Sequence, residues 1–102
     1  MSYLAVRIGV PDETTAHRLA RVLVEEQVVA GTRMSSGTSH YWWNSEVNER
    51  RYWTITAFTT AENLELLYEL VDDDHPDELP GITHTEIDAS DEYLAWIETQ
   101  TV

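Results

Sequence analysis

Between residues 28 and 58 the chain carries two β-forming segments, separated only by a polar stretch at residues 44–48. The first segment ends in His40-Tyr41-Trp42-Trp43. The second, residues 50–58, reads RRYWTITAF, with Trp53, Ile55 and Ala57 alternating against Tyr52, Thr54, Thr56 and Phe58. Aromatic and β-branched runs joined by a short turn predict an antiparallel hairpin. Its length constrains the fold more than any other feature. Successive side chains of a strand point to opposite faces, so Trp42 and Trp43 cannot enter the same core. One face of the ribbon must find cover outside its own sheet or remain exposed. Val28, Val29 and Ala30 are expected to start the first strand, with Gly31 and Gly37 interrupting it as a bulge or tight bend.

The flanking segments supply the remaining layers. Residues 3–10 alternate, with Leu4, Val6, Ile8 and Val10 facing one way, and predict a half-buried strand that Pro11 ends. Asp12 is a suitable N-cap for a helix over residues 12–27, and Ala16, Leu19, Ala20, Leu23 and Val24 form its apolar stripe. Thr59 and Glu62 have capping-box spacing ahead of a second helix that buries Leu64, Leu67, Tyr68 and Val71. Asp72, Asp73 and Asp74 crowd its end against the helix dipole, and His75-Pro76 stops it. A fourth strand is expected over residues 82–88, then a short helix capped by Ser90 or Asp91. The order β-α-β-β-α-β predicts an α+β, ferredoxin-like sandwich with a long hairpin and a short C-terminal helix. A chain of 102 residues with no linker or repeat is read as one domain, residues 1–102.

Charge narrows the choice of partners. There are 19 acidic and 6 basic residues, for a formal charge of −13, and all six basic residues are arginine. Such a surface repels nucleic acid and anionic membranes. No run of about 18 apolar residues is present, so no membrane span is expected. The start, MSYLAVRIGV, reads as a strand rather than a secretion signal, and cysteine is absent. The expected location is cytoplasmic. Abundant acid without lysine points to an acidic, halophilic protein suited to a high-salt cytoplasm.

Four stretches taken together resemble the CutA family, small proteins linked to divalent-cation tolerance. They are Leu23-Val24-Glu25-Glu26 followed by Val29-Ala30; Tyr41-Trp42-Trp43; His75-Pro76 followed by Glu78 and Pro80; and Tyr93-Leu94-Ala95-Trp96-Ile97. The resemblance implies a homotrimer in which the hairpin strands cross subunit boundaries, with Tyr41, Trp42, Trp43 and Trp53 at the interface. A threefold assembly would also cover strand edges that invite aggregation. The family commonly has a cysteine, implicated in copper binding, where Gly31 stands, and a tyrosine where Asp77 stands. The loop before the last helix is about one residue shorter here and lacks the family's proline.

Residues 72–78 (DDDHPDE) are the most chemically suggestive stretch. Oxygen ligands suit hard cations such as Mn²⁺, and an imidazole adds Cu²⁺ and Zn²⁺. The candidate metal ligands are His75, Asp77 and Glu78, joined by His84; the plainer reading is a solvated acidic loop with His75 as terminator. His40 also falls on an expected strand, and His17 on the exposed side of the first helix. Tyr41, Trp42, Trp43 and Trp53 are read first as packing and only second as a stacking platform. No HExxH, GxSxG, P-loop or GxGxxG is present, so no enzyme is expected and no cofactor beyond a divalent metal. The leading expectation is a trimeric divalent-cation tolerance protein binding metal at an inter-subunit cleft. The alternatives are a structural or interaction trimer without a ligand, and a PII-like small-molecule sensor, which needs a long loop between strands two and three.

The charge reading has a direct test. Screening at molar salt shortens the Debye length to about 3 Å, so the melting temperature should climb steeply as KCl is raised from dilute to molar. A melting temperature indifferent to KCl would remove the halophilic reading.

Overall fold

A computed structural model describes residues 2–102. The elements are β1 (Tyr3–Val10), α1 (Glu13–Glu25), β2 (Gly31–Trp43), β3 (Glu46–Thr60), a 3-10 turn (Ala61–Asn63), α2 (Leu64–Asp74), β4 (Ile82–Glu86) and α3 (Asp91–Gln100). The four strands form one antiparallel sheet in the order β2-β3-β1-β4. This is the expected ferredoxin-like arrangement of strands and helices.

Alternation along the strands sorts the sheet into two faces. Leu4, Val6, Ile8 and Val10 of β1 lie beside Ile55 and Ala57 of β3, and all are buried. Ala16, Leu19, Ala20 and Leu23 of α1 and Leu67 and Val71 of α2 complete this core. Leu64 and Tyr68 are only half-buried, so the α2 stripe is narrower than its spacing suggested. Asp12 caps α1 by accepting the Thr15 N–H at 2.8 Å, and Ser90 caps α3 by accepting the Tyr93 N–H at 3.2 Å. The acidic end of α2 is answered from α1, where Arg18 donates through Nε and Nη2 to both oxygens of Asp74 at 2.9 Å each.

Several boundaries differ from the expectations. Helix α1 stops at Glu25, and Gln27 takes a left-handed conformation with φ 57°. This reversal drops Val28 and Val29 into the core, so β2 begins at Gly31 rather than Val28. The β2–β3 register then runs unbroken from Gly31↔Phe58 to Trp43↔Glu46, so neither Gly31 nor Gly37 makes a bulge. Gly31 serves a different need: a Cβ there would lie 3.0 Å from the Trp96 ring on α3. The turn is only Asn44-Ser45, with φ of 51° and 63°, instead of residues 44–48. Two central residues with positive φ match the twist of the strands, which lets β3 start at Glu46. Strand β4 ends at Glu86, two residues early.

The capping box of Thr59 and Glu62 does not form. Strand β3 continues to Thr60, and the buried Thr59 hydroxyl donates instead to the Val28 carbonyl at 2.6 Å. That bond ties β3 to the segment leaving α1. Thr59→Val should therefore cost about 1–2 kcal/mol, because it strands a buried acceptor while keeping the shape. Glu62→Ala should stay within about 0.5 kcal/mol. Urea denaturation of both variants checks this, and a larger loss for Glu62→Ala would restore the capping box.

Candidate functional site

The β2–β3 ribbon outruns the sheet. Pairing of β1 with β3 ends at Val10↔Trp53, whereas β2 and β3 stay paired from Gly37↔Tyr52 to Trp43↔Glu46. At about 3.4 Å per residue the extension projects roughly 20 Å, and it stretches the molecule to 44 × 23 × 20 Å. On the sheet face opposite α1 and α2, the alternation aligns Ser39, Tyr41 and Trp43 of β2 with Arg50 and Tyr52 of β3 and Gly9 of β1.

The loop from α2 to β4 crosses the end of β1 and closes over this face. The His75 Nε2–H donates to the Gly9 carbonyl at 2.6 Å, and His75 Nδ1 accepts the Asp77 N–H at 3.0 Å. This pair of bonds requires the imidazole with its proton on Nε2. The Gly9 N–H donates to the Gly81 carbonyl at 3.0 Å. Asp77 is thereby held over the ribbon, where its Oδ2 accepts from Arg50 Nη2 at 2.8 Å and from the Tyr52 hydroxyl at 3.3 Å. Tyr52 lies so close over Gly9 that a Cβ at that position would sit 2.2 Å from the ring edge.

Arg50 is the centre of the cluster. Its guanidinium lies over Tyr41 and Tyr52, 5.1 and 5.0 Å from the ring centroids. Burial works against its charge, but the bonds to Asp77 and Tyr52 prevail and raise its pKa above the usual arginine value. Burial also pushes the Tyr52 phenol up, and the Asp77 carboxylate adds to that. Arg50 Nε is shielded from solvent and has no hydrogen-bond partner among the described residues. Beside these groups is a cavity of about 520 Å³, lined by Tyr41, Trp43, Arg50, Tyr52, Asp77 and Leu79 among others. That is within the usual range for small-molecule pockets, about 300–1,000 Å³.

The residues singled out from the sequence are placed as follows. His75, Asp77 and Glu78 share the loop, but both ring nitrogens of His75 are occupied and Asp77 faces Arg50. His84 is exposed on β4, paired with Val6. Among the described residues no three His, Asp or Glu side chains come close enough to hold a metal ion. Tyr41 and Trp43 line the cavity, while Trp42 faces the other way, 74% exposed and opposite Val47. Trp53 packs against the core edge under the Arg51 guanidinium, 5.6 Å from its ring centre. His40 meets Glu49 across the ribbon at 2.6 Å, and His17 lies 3.7 Å from Glu13 on α1. Sequence reasoning missed Gly9, Arg50 and Tyr52. The alternation already placed Arg50 and Tyr52 on one face, and an arginine amid so much acid was the available signal.

The Arg50–Asp77 pair is only partly exposed, at 34% and 20% of the side chains. A double-mutant cycle with Arg50→Met and Asp77→Asn should give a coupling of about 1–2 kcal/mol, above the 0–1 kcal/mol of surface pairs. Measured by urea unfolding at fixed KCl, a coupling near zero would show the loop to be held by its bonds to Gly9 without help from Arg50.

Comparison with known proteins agrees with this architecture. Residues 4–100 match the family model for the CutA1 divalent ion tolerance protein. The divalent-cation tolerance protein CutA of Thermus thermophilus is 36% identical over 98 residues, covering 94% of this chain and 95% of that protein. The protein of the same name from Thermotoga maritima is 31% identical over 88 residues, 85% of this chain and 87% of its own. The solved structure of the Thermus thermophilus protein superposes with a TM-score of 0.94 at 33% identity, covering 98% of this chain and 99% of the other.

Proposed function

The chain belongs to the CutA1 divalent ion tolerance family, and from that premise we propose that it serves divalent-cation tolerance as a non-catalytic cytoplasmic homotrimer. The observation that carries the assembly is the projecting ribbon. It exposes Trp42 and Val47 at 74% and 62%, and beyond Val10 both of its long edges lack a further strand among the described residues. Apolar tips and unpaired backbone favour cover by sister chains. Tyr41, Trp43 and Trp53 lie along the same ribbon and would border that contact.

In this reading the cation is taken at the subunit cleft. Asp77 and Glu78 supply carboxylate oxygens from the α2–β4 loop, and a sister chain completes the shell, with the exposed His84 as its imidazole. His75 positions the loop through Gly9 and becomes a ligand only by giving up one of its two hydrogen bonds. No thiolate is available, because Gly31 stands where the family commonly has cysteine and the chain has no cysteine at all. Oxygen and imidazole donors suit Mn²⁺, Zn²⁺ and Cu²⁺ rather than Cu⁺. The two-residue turn at Asn44-Ser45 provides no long loop of the kind a PII-like sensor requires.

Sedimentation in molar KCl should give a particle about three times the 11.7 kDa chain mass, and Trp42→Glu should shift it toward single chains. A well-folded wild-type particle of 11.7 kDa would end the trimer reading. On the trimer, calorimetry with Mn²⁺, Zn²⁺ and Cu²⁺ should show Glu78→Gln and His84→Ala weakening binding by about tenfold or more. Affinities equal to wild type in both variants would remove the metal site.

A further inference from the structure

We propose that the open face of the sheet binds a small oxyanion of the phosphate class, clamped between Arg7 and Arg33. The site shares no residue with the proposed cation shell and does not depend on it.

Strand register assembles the site. On the face opposite α1 and α2, Thr83 of β4, Arg7 of β1, Thr56 of β3 and Arg33 of β2 fall in one row. Thr54 and Ser35 occupy the next row toward the ribbon, beside Gly9. Arg7 and Arg33 are two strands apart, about 10 Å between Cα atoms, and only the short Thr56 side chain stands directly between them. Both arginines are exposed, so their long stems can converge over it.

Charge selects an anion. Three of the six arginines, Arg7, Arg33 and Arg50, stand on this face. Among its strand positions the one carboxylate is Glu46, at the far tip of the ribbon. Arg50 is met by Asp77, and Arg18 and Arg21 on α1 are likewise paired. Arg7 and Arg33 have no carboxylate partner among the described residues, although the chain has 19 acidic residues. At physiological salt a Debye length of about 8 Å weakens the repulsion from carboxylates elsewhere on the molecule.

The donors are available. Arg33 lies over the Phe58 ring, 5.1 Å from its centroid. A cation over a ring face is held without an oxygen acceptor, so N–H donors remain for an anion while that contact persists. Arg7 Nη1 donates to Thr85 Oγ1 at 3.4 Å, a long and weak bond. The hydroxyls of Thr56 and Thr83 add donors in the same row. Forked guanidiniums suit the oxygens of phosphate better than any neutral group does.

The open strip selects a small ligand. Tyr93 and Trp96 of α3 cover the end at Phe58 and Gly31, and the α2–β4 loop meets Gly9 and Tyr52 at the other. Two rows remain, a strip of roughly 20 × 10 Å. That is well below the roughly 800 Å² that each partner buries in a stable protein contact.

Inorganic phosphate, pyrophosphate and acetate separate the possibilities. They are titrated by calorimetry into the full chain at neutral pH and one fixed KCl concentration, in buffer stripped of divalent metal. Phosphate should bind saturably with a Kd of about millimolar, the range expected for so few atoms. Pyrophosphate should bind at least about threefold more tightly and acetate at least about tenfold more weakly, because two guanidiniums favour a multiply charged partner. Arg7→Gln and Arg33→Gln should each weaken phosphate by about fivefold or more, whereas Arg21→Gln should match wild type. If either variant does not fold, the wild-type Nε–H resonances of Arg7 and Arg33 decide: phosphate should shift both saturably and leave that of Arg21 unmoved. Absence of saturable phosphate binding would reserve the face for some other partner and overturn the proposal. Acetate binding as tightly as phosphate, full affinity in either folded variant, or an equal loss in Arg21→Gln would overturn it too. Because no metal is present, loss of the cation site leaves this result unaffected.

Discussion

Gly9 is held on three sides at once. Its carbonyl accepts from His75, its N–H donates to the Gly81 carbonyl, and its bare Cα leaves room for the Tyr52 ring. These contacts fasten the α2–β4 loop across the end of β1, at the point where the sheet stops and the ribbon continues. Without the loop in that position Asp77 would not reach Arg50, and the cavity would have no second wall. The absence of one side chain thus links the helix layer, the central strand and the projecting hairpin.

Electrostatics reinforces this geometry. In a chain this acidic, a cation is scarce, and the arginines are used sparingly. Arg18 closes α2 onto α1 through Asp74, Arg21 pairs with Glu25, and Arg50 pairs with Asp77. Arg33 and Arg51 instead lie over Phe58 and Trp53. Arginine suits both tasks, because its planar group can fork onto a carboxylate or stack on a ring. Lysine's compact charge does neither as well. The surviving carboxylates face solvent, where salt can screen their mutual repulsion.

Much of the fold was legible because its signals are local. Period-two alternation marked β1 and β3, apolar spacing marked α1 and α2, and Asp12 and Ser90 acted as the caps their positions suggested. The errors fell where a long-range contact overrode a local preference. Thr59 abandoned its capping role because the Val28 carbonyl offered a buried partner 31 residues away. Val28 and Val29, good strand formers, were drawn into the core by the reversal at Gln27. Gly31 looked like a strand interruption, yet it serves the close approach of Trp96 from the other end of the chain. The site was less legible still. The acidic loop drew the eye by composition, while Arg50 and Tyr52 sat unremarked within a strand.

Sequence alone determined the order of elements, the two-faced strands, the acidic surface and the opposed placement of Trp42 and Trp43, because each follows from neighbours a few residues apart. Only the tertiary structure decided that His75 braces Gly9, that Asp77 turns toward Arg50 and Tyr52, and that a cavity opens beside them. Those outcomes depend on which residues of β1, β3 and the α2–β4 loop arrive at the same place. That juxtaposition is set by strand register and by the packing of a bare glycine, and neither is written in any one segment of the chain.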